Sequence, residues 1–273
     1  MFYRLLGIPF LLLAAASVAA AEFSLADTSD GNMDIQKYFT AAQGTKAGLL
    51  PETLDIAIKN IAGSRWAQTS GFQVAAVESF LPADREKFNC DVFALVPVIL
   101  AVSSDNPLED ISVEDLKRIY SGKIGSWQRL GGKNIKLYYA GSSGEKSVFR
   151  AFKALVMEQE LFAAEKSIQN EIAPGFIDCG DVAGAAALLK IQPGIIVFGS
   201  HQLATDDTKS YKILKINGVY PAREHIVSGR YPLVAAHCLL SRKNVEIPHK
   251  NEVLAFLRNC AAENPAVLKI SAK

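Results

Sequence analysis

The feature that most constrains the fold of this chain is a turn rich in glycine and serine, residues 141–145, which lies between two apolar segments of different period. Residues 135–139 before the turn have the composition of a strand. After the turn, apolar residues recur at helical spacing, namely Val148, Phe149, Phe152 and Leu155. A strand, a tight turn and a helix in this order are typical of α/β proteins, and such a turn can form a polar site from backbone amides.

The start of the predicted helix has the pattern of a capping box. Ser142 is the predicted N-cap, and Glu145 three residues later completes the box. The amides of Ser143, Gly144 and Glu145 would then point out of the helix, beyond the end of the strand. Helix N-termini carry partial positive charge, so these amides suit an oxyanion. The same spacing also fits a helix that is capped in this way and binds no ligand.

The segment before this turn predicts a βαβ unit. Residues 92–102 are apolar and rich in β-branched side chains, which is typical of one strand buried on both faces. Ser112 and Asp115 have capping-box spacing, with Asp in place of the usual Glu, and they predict the start of a helix. The apolar face of that helix consists of Leu116, Ile119 and Tyr120.

Predicted strands and helices alternate along the rest of the chain. This order predicts an α/β protein with mostly parallel sheets. The predicted strands are residues 23–26, 72–77, 195–198, 211–216 and 233–240, and the predicted helices are residues 34–42, 54–61, 182–189 and 251–260.

Residues 1–21 have the pattern of a secretory signal peptide. Arg4 precedes an apolar core at residues 5–13, and Ala19 and Ala21 occupy the positions of a small-residue cleavage site. We expect cleavage after Ala21 and a periplasmic or secreted protein. An uncleaved membrane anchor is the alternative, although the apolar core is short for a membrane-spanning helix.

The composition excludes several classes of function. The 29 basic and 28 acidic residues are dispersed and give a net charge of +1, so we expect no nucleic-acid partner. The cysteines form no C-x-x-C pair and the histidines no H-x-x-x-H pair, so we expect no metal site. P-loop, dinucleotide-binding and GxSxG motifs are absent from the sequence, so we expect no cofactor.

Three segments together resemble one family of binding proteins. Residues 98–132 include DNPLEDISVEDLKRIYSGKIGSWQRLGG, residues 194–200 read GIIVFGS, and residues 216–233 read INGVYPAREHIVSGRYPL. As a set these segments resemble the phosphate-binding-protein-like receptors of ABC transporters, which are type II periplasmic binding proteins.

The resemblance implies two α/β lobes with mixed, mostly parallel sheets that close over a ligand by hinge motion. The first lobe would comprise residues 22–100 plus 200–273, and the second lobe residues 101–199. The chain would cross between the lobes at residues 99–103 and 197–201. The resemblance further implies a monomer without catalytic activity that binds a small molecule and can deliver it to an ABC permease.

The candidate site differs from the family pattern at four positions. Tyr139 stands where phosphate receptors of this family carry Arg, and Glu145 replaces the Thr of their Ser-Gly-Thr loop. The pair Glu78–Ser79 replaces a Ser-Arg pair. A bound oxyanion would therefore meet carboxylates where the family offers a guanidinium and a hydroxyl. The remaining predicted ligand-binding residues are Thr28, Ser29, Ser142, Ser143 and Gly144.

Three functions follow from these observations. The first is a receptor-like protein whose altered site, at Tyr139, Glu145 and Glu78, has lost oxyanion binding. It would hold another small polar ligand or serve a sensory or assembly role. The second is a true phosphate receptor of an ABC importer, which would use backbone amides and the side chains of Ser142, Ser143, Thr28 and Ser29. The third is a secreted hydrolase in which Ser143 is the nucleophile.

The four cysteines, Cys90, Cys179, Cys238 and Cys260, would enter an oxidising compartment, and they allow three full pairings. Under the lobes implied by the resemblance, Cys179 is alone in the second lobe. A bond from Cys179 to any other cysteine would join the two lobes. On that basis we predict a disulfide between Cys238 and Cys260.

Overall fold

The computed structural model describes residues 88–157, 172–205, 210–263 and 267–269, together with the strands at 22–27, 55–60 and 74–77. Within these residues, no helix is long and apolar enough to cross a lipid bilayer. The strands are β1 Glu22–Asp27, β2 Asp55–Asn60, β3 Val74–Val77, β4 Phe88–Pro97, β5 Ile99–Ser103, β6 Asp110–Ile111, β7 Tyr138–Gly141, β8 Ile177–Asp178, β9 Ile195–Gly199, β10 Tyr211–Ile213, β11 Lys215–Ile216, β12 Val234–Arg242 and β13 Leu268–Lys269. The helices are α1 Val113–Tyr120, α2 Lys146–Val156, α3 Val182–Ile191, α4 Arg223–Val227 and α5 Lys250–Glu263, with 3₁₀ helices at Trp127–Leu130 and His201–Ala204.

The first sheet has six strands in the order β13-β4-β12-β3-β1-β2. Strand β1 pairs in parallel with β2 and β3, whereas β12 is antiparallel to β3 and β4. The prediction of a helix at residues 54–61 is wrong, because Asp55–Asn60 forms β2. Ile56 and Ile58 alternate with smaller or polar residues in this segment, which is the period of a strand.

The second sheet has five strands in the order β10-β5-β9-β7-β8. Strand β7 is parallel to β8 and β9, and β5 is antiparallel to β9 and β10. A small third sheet pairs β6 with β11. The α/β class and the mixed sheets are confirmed. Among the described strands, antiparallel pairs are as frequent as parallel pairs, so parallel pairing does not predominate.

The apolar run at residues 92–102 belongs to two sheets and not to one strand. Strand β4 ends at Pro97 in the first sheet and β5 begins at Ile99 in the second, so Val98 alone separates them. Val98 is fully buried, and its amide donates a hydrogen bond to the Leu233 carbonyl at 2.9 Å. Pro97 has no amide hydrogen to continue the ladder, which is consistent with the break at this point.

The chain returns to the first sheet after Leu233. Strands β9 and β10 both pair with β5, so residues 195–199 and 211–213 lie in the second sheet. Strand β10 therefore does not join the first sheet, although its residues were assigned to the predicted first lobe. The chain returns to the first sheet later than the predicted crossing at residues 197–201. The assignment of whole lobes stays a prediction, since parts of residues 22–100 lie outside the described residues.

The helix α1 begins as predicted, because the Ser112 hydroxyl accepts a hydrogen bond from the Asp115 amide at 3.0 Å.

The helices and strands around the turn share an aromatic core. Phe152 of α2 stacks on Phe198 of β9, with ring centroids 4.0 Å apart, and Tyr120 of α1 packs edge-on against Phe152 at 4.5 Å. These rings fix the position of β9 and α2 beneath the turn.

The predicted disulfide between Cys238 and Cys260 is wrong. Cys90 of β4 and Cys238 of β12 form a disulfide, with their Cα atoms 5.5 Å apart. The two strands are antiparallel neighbours in the first sheet, and a register shift between His237 and Cys238 accompanies the contact. Cys260 is buried on α5 and takes no part in this disulfide, and Cys179 is a free cysteine.

Candidate functional site

The predicted turn lies at an edge of the second sheet where three parallel strands end. In the register, Gly141 of β7 pairs with Asp178 of β8 and with Phe198 of β9. Because the carboxyl ends of parallel strands meet at one edge, the segments that follow these strands are brought together there. The candidate site therefore consists of the turn at residues 142–145, the segment at 178–181 and Ser200.

The helix after the turn begins three residues later than predicted. Lys146 is the first residue of α2, and its N-cap is Glu145, whose side chain makes no capping bond. The capping box with Ser142 as N-cap is therefore wrong. Ser142 is fully buried, its amide donates to the Phe198 carbonyl at 3.3 Å, and its hydroxyl lies 3.5 Å from the Cys179 sulfur. These tertiary contacts hold Ser142 next to β9 and prevent it from capping the helix.

The three amides predicted to face a ligand all donate within the protein. The Ser143 amide donates to Oδ1 of Asp178 at 3.2 Å, and the Gly144 amide donates to the Gly180 carbonyl at 2.7 Å. The Glu145 amide donates to the Ser142 carbonyl at 3.3 Å. The turn therefore does not present a set of free backbone donors.

Asp178 is the acceptor on which the donors of the site converge. Besides the Ser143 amide, the Ser143 hydroxyl donates to its Oδ2, and the Gly180 amide donates to Oδ1 at 2.9 Å. Partial burial acts to raise the pKa of Asp178, but the hydrogen bonds from Ser143 and Gly180 outweigh it. The pKa of Asp178 therefore lies below its ordinary value, and the carboxylate is ionised at neutral pH.

Glu145 connects the turn to the end of β9. Its Oε2 accepts a hydrogen bond from the Ser200 amide at 3.1 Å. Ser200 is fully buried, and its hydroxyl has no hydrogen-bond partner among the described residues. Neither Glu145 nor Asp178 forms an ion pair with a basic residue in the described part of the chain. The site therefore carries two negative charges without a basic partner there.

Tyr139 packs into the protein beneath the turn. It is 8% exposed, its ring centroid lies 5.5 Å from that of Tyr120, and its hydroxyl donates to the Pro174 carbonyl at 2.9 Å. Burial raises the pKa of the Tyr139 hydroxyl. The side chain at the position of the family's Arg is thus directed to the segment around Pro174. Contact between Tyr139 and a ligand stays a prediction.

Four of the predicted site residues, Thr28, Ser29, Glu78 and Ser79, lie outside the described residues, and their roles stay predictions. Of the predicted residues that are described, Ser142, Ser143, Gly144 and Glu145 lie together in the turn. No cluster of three or more potential metal ligands occurs within the described ranges.

Comparison with known proteins identifies the family. The model of the PBP superfamily domain matches residues 35–257, which is most of the chain. The chain belongs to the PBP superfamily.

Curated relatives of this PBP superfamily member include two proteins called phosphate-binding protein PstS. The protein from Bacillus subtilis is 30% identical over 145 residues, which is 52% of this chain and 43% of the relative. The protein from Borreliella burgdorferi is 21% identical over 173 residues, which is 63% of this chain and 61% of the relative. The matched region thus spans less than two thirds of either relative.

Two solved structures of phosphate receptors share the fold of this chain. A crystal structure of an ABC-type phosphate transport receptor from Vibrio cholerae aligns with a TM-score of 0.64 at 16% identity, over 86% of this chain and 93% of the other. The structure of PstS from Borrelia burgdorferi aligns with a TM-score of 0.66 at 16% identity, over 92% and 99% of the two chains. This likeness supports the two-lobed architecture predicted from the resemblance.

Two residues of the site in this PBP superfamily member were not predicted from the sequence. Asp178 ends β8 in a segment that reads Asp-Cys-Gly-Asp, which is turn chemistry directly after a strand, and this signal could have indicated it. Ser200 follows the apolar strand β9, and its sequence context has no comparable signal. Its contact with Glu145 joins residues 55 positions apart.

Proposed function

We propose that this protein is an exported solute-binding protein that holds a small polar ligand between two α/β lobes without catalysing a reaction, and that the ligand is not free phosphate. Membership of the PBP superfamily supports the binding role. The predicted signal peptide, cleaved after Ala21, supports a periplasmic or secreted location. As a monomer, the protein would deliver its ligand to an ABC permease or act in sensing.

The observation that carries this proposal is the position of Glu145. The Ser200 amide holds the Glu145 carboxylate at the turn, so it does not cap its own helix. An oxyanion bound at the turn would lie close to this charge, and a like-charge pair at about 4 Å costs about 1 to 4 kcal/mol. A neutral or cationic solute would avoid this cost.

A phosphate receptor of an ABC importer is the second candidate function. Both PstS relatives are named as phosphate-binding proteins, and this similarity is the observation that favours it. Under this candidate, donors from residues outside the described ranges, such as Thr28 and Ser29, would have to compensate for the amides that the turn uses internally.

A hydrolase with Ser143 as nucleophile has less support. The Ser143 hydroxyl donates to Asp178, and a carboxylate with a lowered pKa is a weak general base. Turnover of a p-nitrophenyl ester that is lost in Ser143→Ala and retained in Ser104→Ala, which changes an exposed serine, would establish this function instead.

The experiment that separates the first two candidates is titration calorimetry of the exported protein with phosphate, together with a thermal-shift panel. We expect no heat and no rise in Tm at millimolar phosphate. We also expect a rise in Tm with at least one neutral or cationic small solute, because a ligand that binds the native state stabilises it by mass action. Saturable phosphate binding would overturn the proposal and support the phosphate receptor.

A further inference from the structure

Asp178 accepts three hydrogen bonds at the turn, two of them from Ser143. The Ser143 amide and hydroxyl and the Gly180 amide all donate to its carboxylate. Backbone amides and hydroxyls of this kind are the groups with which proteins hold phosphate and sulfate oxygens. The carboxylate therefore satisfies the donors that a bound oxyanion would otherwise use.

Two further hydrogen bonds fasten the Asp178 segment to the turn. The Gly144 amide donates to the Gly180 carbonyl at 2.7 Å, and the Cys179 amide donates to the Gly141 carbonyl at 3.1 Å. Gly144 permits this approach, because a Cβ atom there would lie 2.5 Å from the Gly180 carbonyl oxygen. These bonds hold the backbone on both sides of Asp178 against the turn, and so keep the carboxylate within reach of its donors.

The charge of Asp178 adds to the exclusion of anions. Hydrogen bonds hold its pKa below the ordinary value despite partial burial, so the group stays anionic at neutral pH. Because the Ser143 and Gly180 donors already compensate a negative charge, a second anion nearby would meet an unfavourable potential.

We propose that Asp178 is a specificity-determining residue, whose carboxylate occupies the donors of Ser143 and Gly180 and so excludes free phosphate and sulfate from this edge of the second sheet. The solutes accepted there are neutral or cationic and offer hydrogen-bond donors. This inference rests on the proposed function, since it concerns the ligand of the same site.

Titration calorimetry of the exported protein with inorganic phosphate and with sulfate tests this role. Asp178→Ala removes the internal acceptor, and Asp181→Asn is the matched control. Asp181 is a neighbouring exposed carboxylate whose Oδ1 accepts from the Gly184 amide at 2.9 Å. Asn preserves that helix cap while changing the net charge equally. We expect Asp178→Ala to bind phosphate or sulfate at least about tenfold more tightly than the wild type. The reason is that the substitution releases donors that can then bond to the anion.

Ser143→Ala in the Asp178→Ala background should remove part of this gain, since it deletes the freed hydroxyl and leaves the two freed amides in place. The inference is overturned if Asp178→Ala shows a native circular dichroism spectrum and binds neither anion more tightly than Asp181→Asn. If Asp178→Ala does not fold, Asp178→Asn is subjected to the same comparison. Phosphate binding by the wild type would contradict the proposed function, whereas equal affinity in wild type and Asp178→Ala would contradict the role of Asp178.

Discussion

The hydroxyl of Tyr231 donates a hydrogen bond to the carbonyl oxygen of Val98 at 2.8 Å. Tyr231 is buried just before β12, and Val98 is the single residue between β4 and β5. With the bond from the Val98 amide to the Leu233 carbonyl, both polar backbone groups of Val98 are satisfied by the segment that returns to the first sheet. The two passages of the chain between the sheets are therefore bonded to each other.

Tyr231→Phe should lower the free energy of unfolding by about 1 to 3 kcal/mol, because it leaves the buried Val98 carbonyl without its partner. Chemical denaturation measures this difference. Tyr220→Phe is the matched control, since Tyr220 is 42% exposed and the same hydroxyl is removed. Equal stability of the two variants would show that the Tyr231 hydroxyl contributes little.

Gly141→Ala should destabilise the protein by about 1 to 3 kcal/mol, the typical cost of overpacking a core. A Cβ atom at Gly141 would lie 2.2 Å from Cζ of Phe198. Gly125→Ala is the control, because a Cβ atom there has no neighbour within 4 Å. Phe198→Leu in the Gly141→Ala background should recover part of the loss in a double-mutant cycle. Additive losses would contradict a direct clash between these two residues.

Reduction of the Cys90–Cys238 disulfide should lower stability by about 2 to 5 kcal/mol, because the bond closes a loop with a sequence separation of 148. The Cys90→Ala, Cys238→Ala double variant should unfold at the Tm of the reduced wild type. Cys179→Ser, which changes a free thiol, should still lose stability when reductant is added. Peptide mapping without reductant should yield Cys90 linked to Cys238, and a Cys238–Cys260 peptide would contradict the structure.

Asp178 should contribute to the pH dependence of stability. Its pKa is lower in the folded protein than the ordinary value of 3.8, so its contribution is complete above that value and is lost as pH falls through the folded pKa. The Tm difference between wild type and Asp178→Asn should therefore be larger at about pH 6 than at about pH 2.5. Asp105→Asn controls for the change in net charge at an exposed position. A constant difference at both pH values would contradict this assignment.

Features set by local spacing could be predicted from the sequence. The capping bond between Ser112 and Asp115 and the buried face of α1 depend on residues three and four apart, and both are confirmed. The strand β9 was likewise predicted from its continuous apolar run, and it is buried along its whole length. Three motif segments indicate the family, because their residues and spacing resemble the family's pattern.

Features set by distant contacts could not be predicted in this way. Ser142 and Glu145 have capping-box spacing, but their partners are Phe198 on β9 and Ser200 directly after β9, so the helix begins later. Asp178 lies 35 residues from Ser143 along the chain. Local spacing contains no information about a partner at that separation, and the resulting loss of free donors is visible only in the structure.

The disulfide and strand β2 were missed for related reasons. Cys90 and Cys238 meet only because β4 and β12 are adjacent in the first sheet, and the order of strands in a sheet does not follow from sequence proximity. The alternation of Ile56 and Ile58 spans only the six residues of β2, which is too short to exclude a helix when the segment is considered alone. Pairing with β1 decides the outcome.

The single residue between β4 and β5 also restricts how the molecule can bend. The φ angle of Pro97 is fixed at about −65°. The β-branched Val98 is stiff, and both its amide and its carbonyl are bonded to the returning chain. This passage therefore cannot act as a flexible hinge between the two sheets. Any rotation of one sheet against the other would have to twist the two bonded passages together.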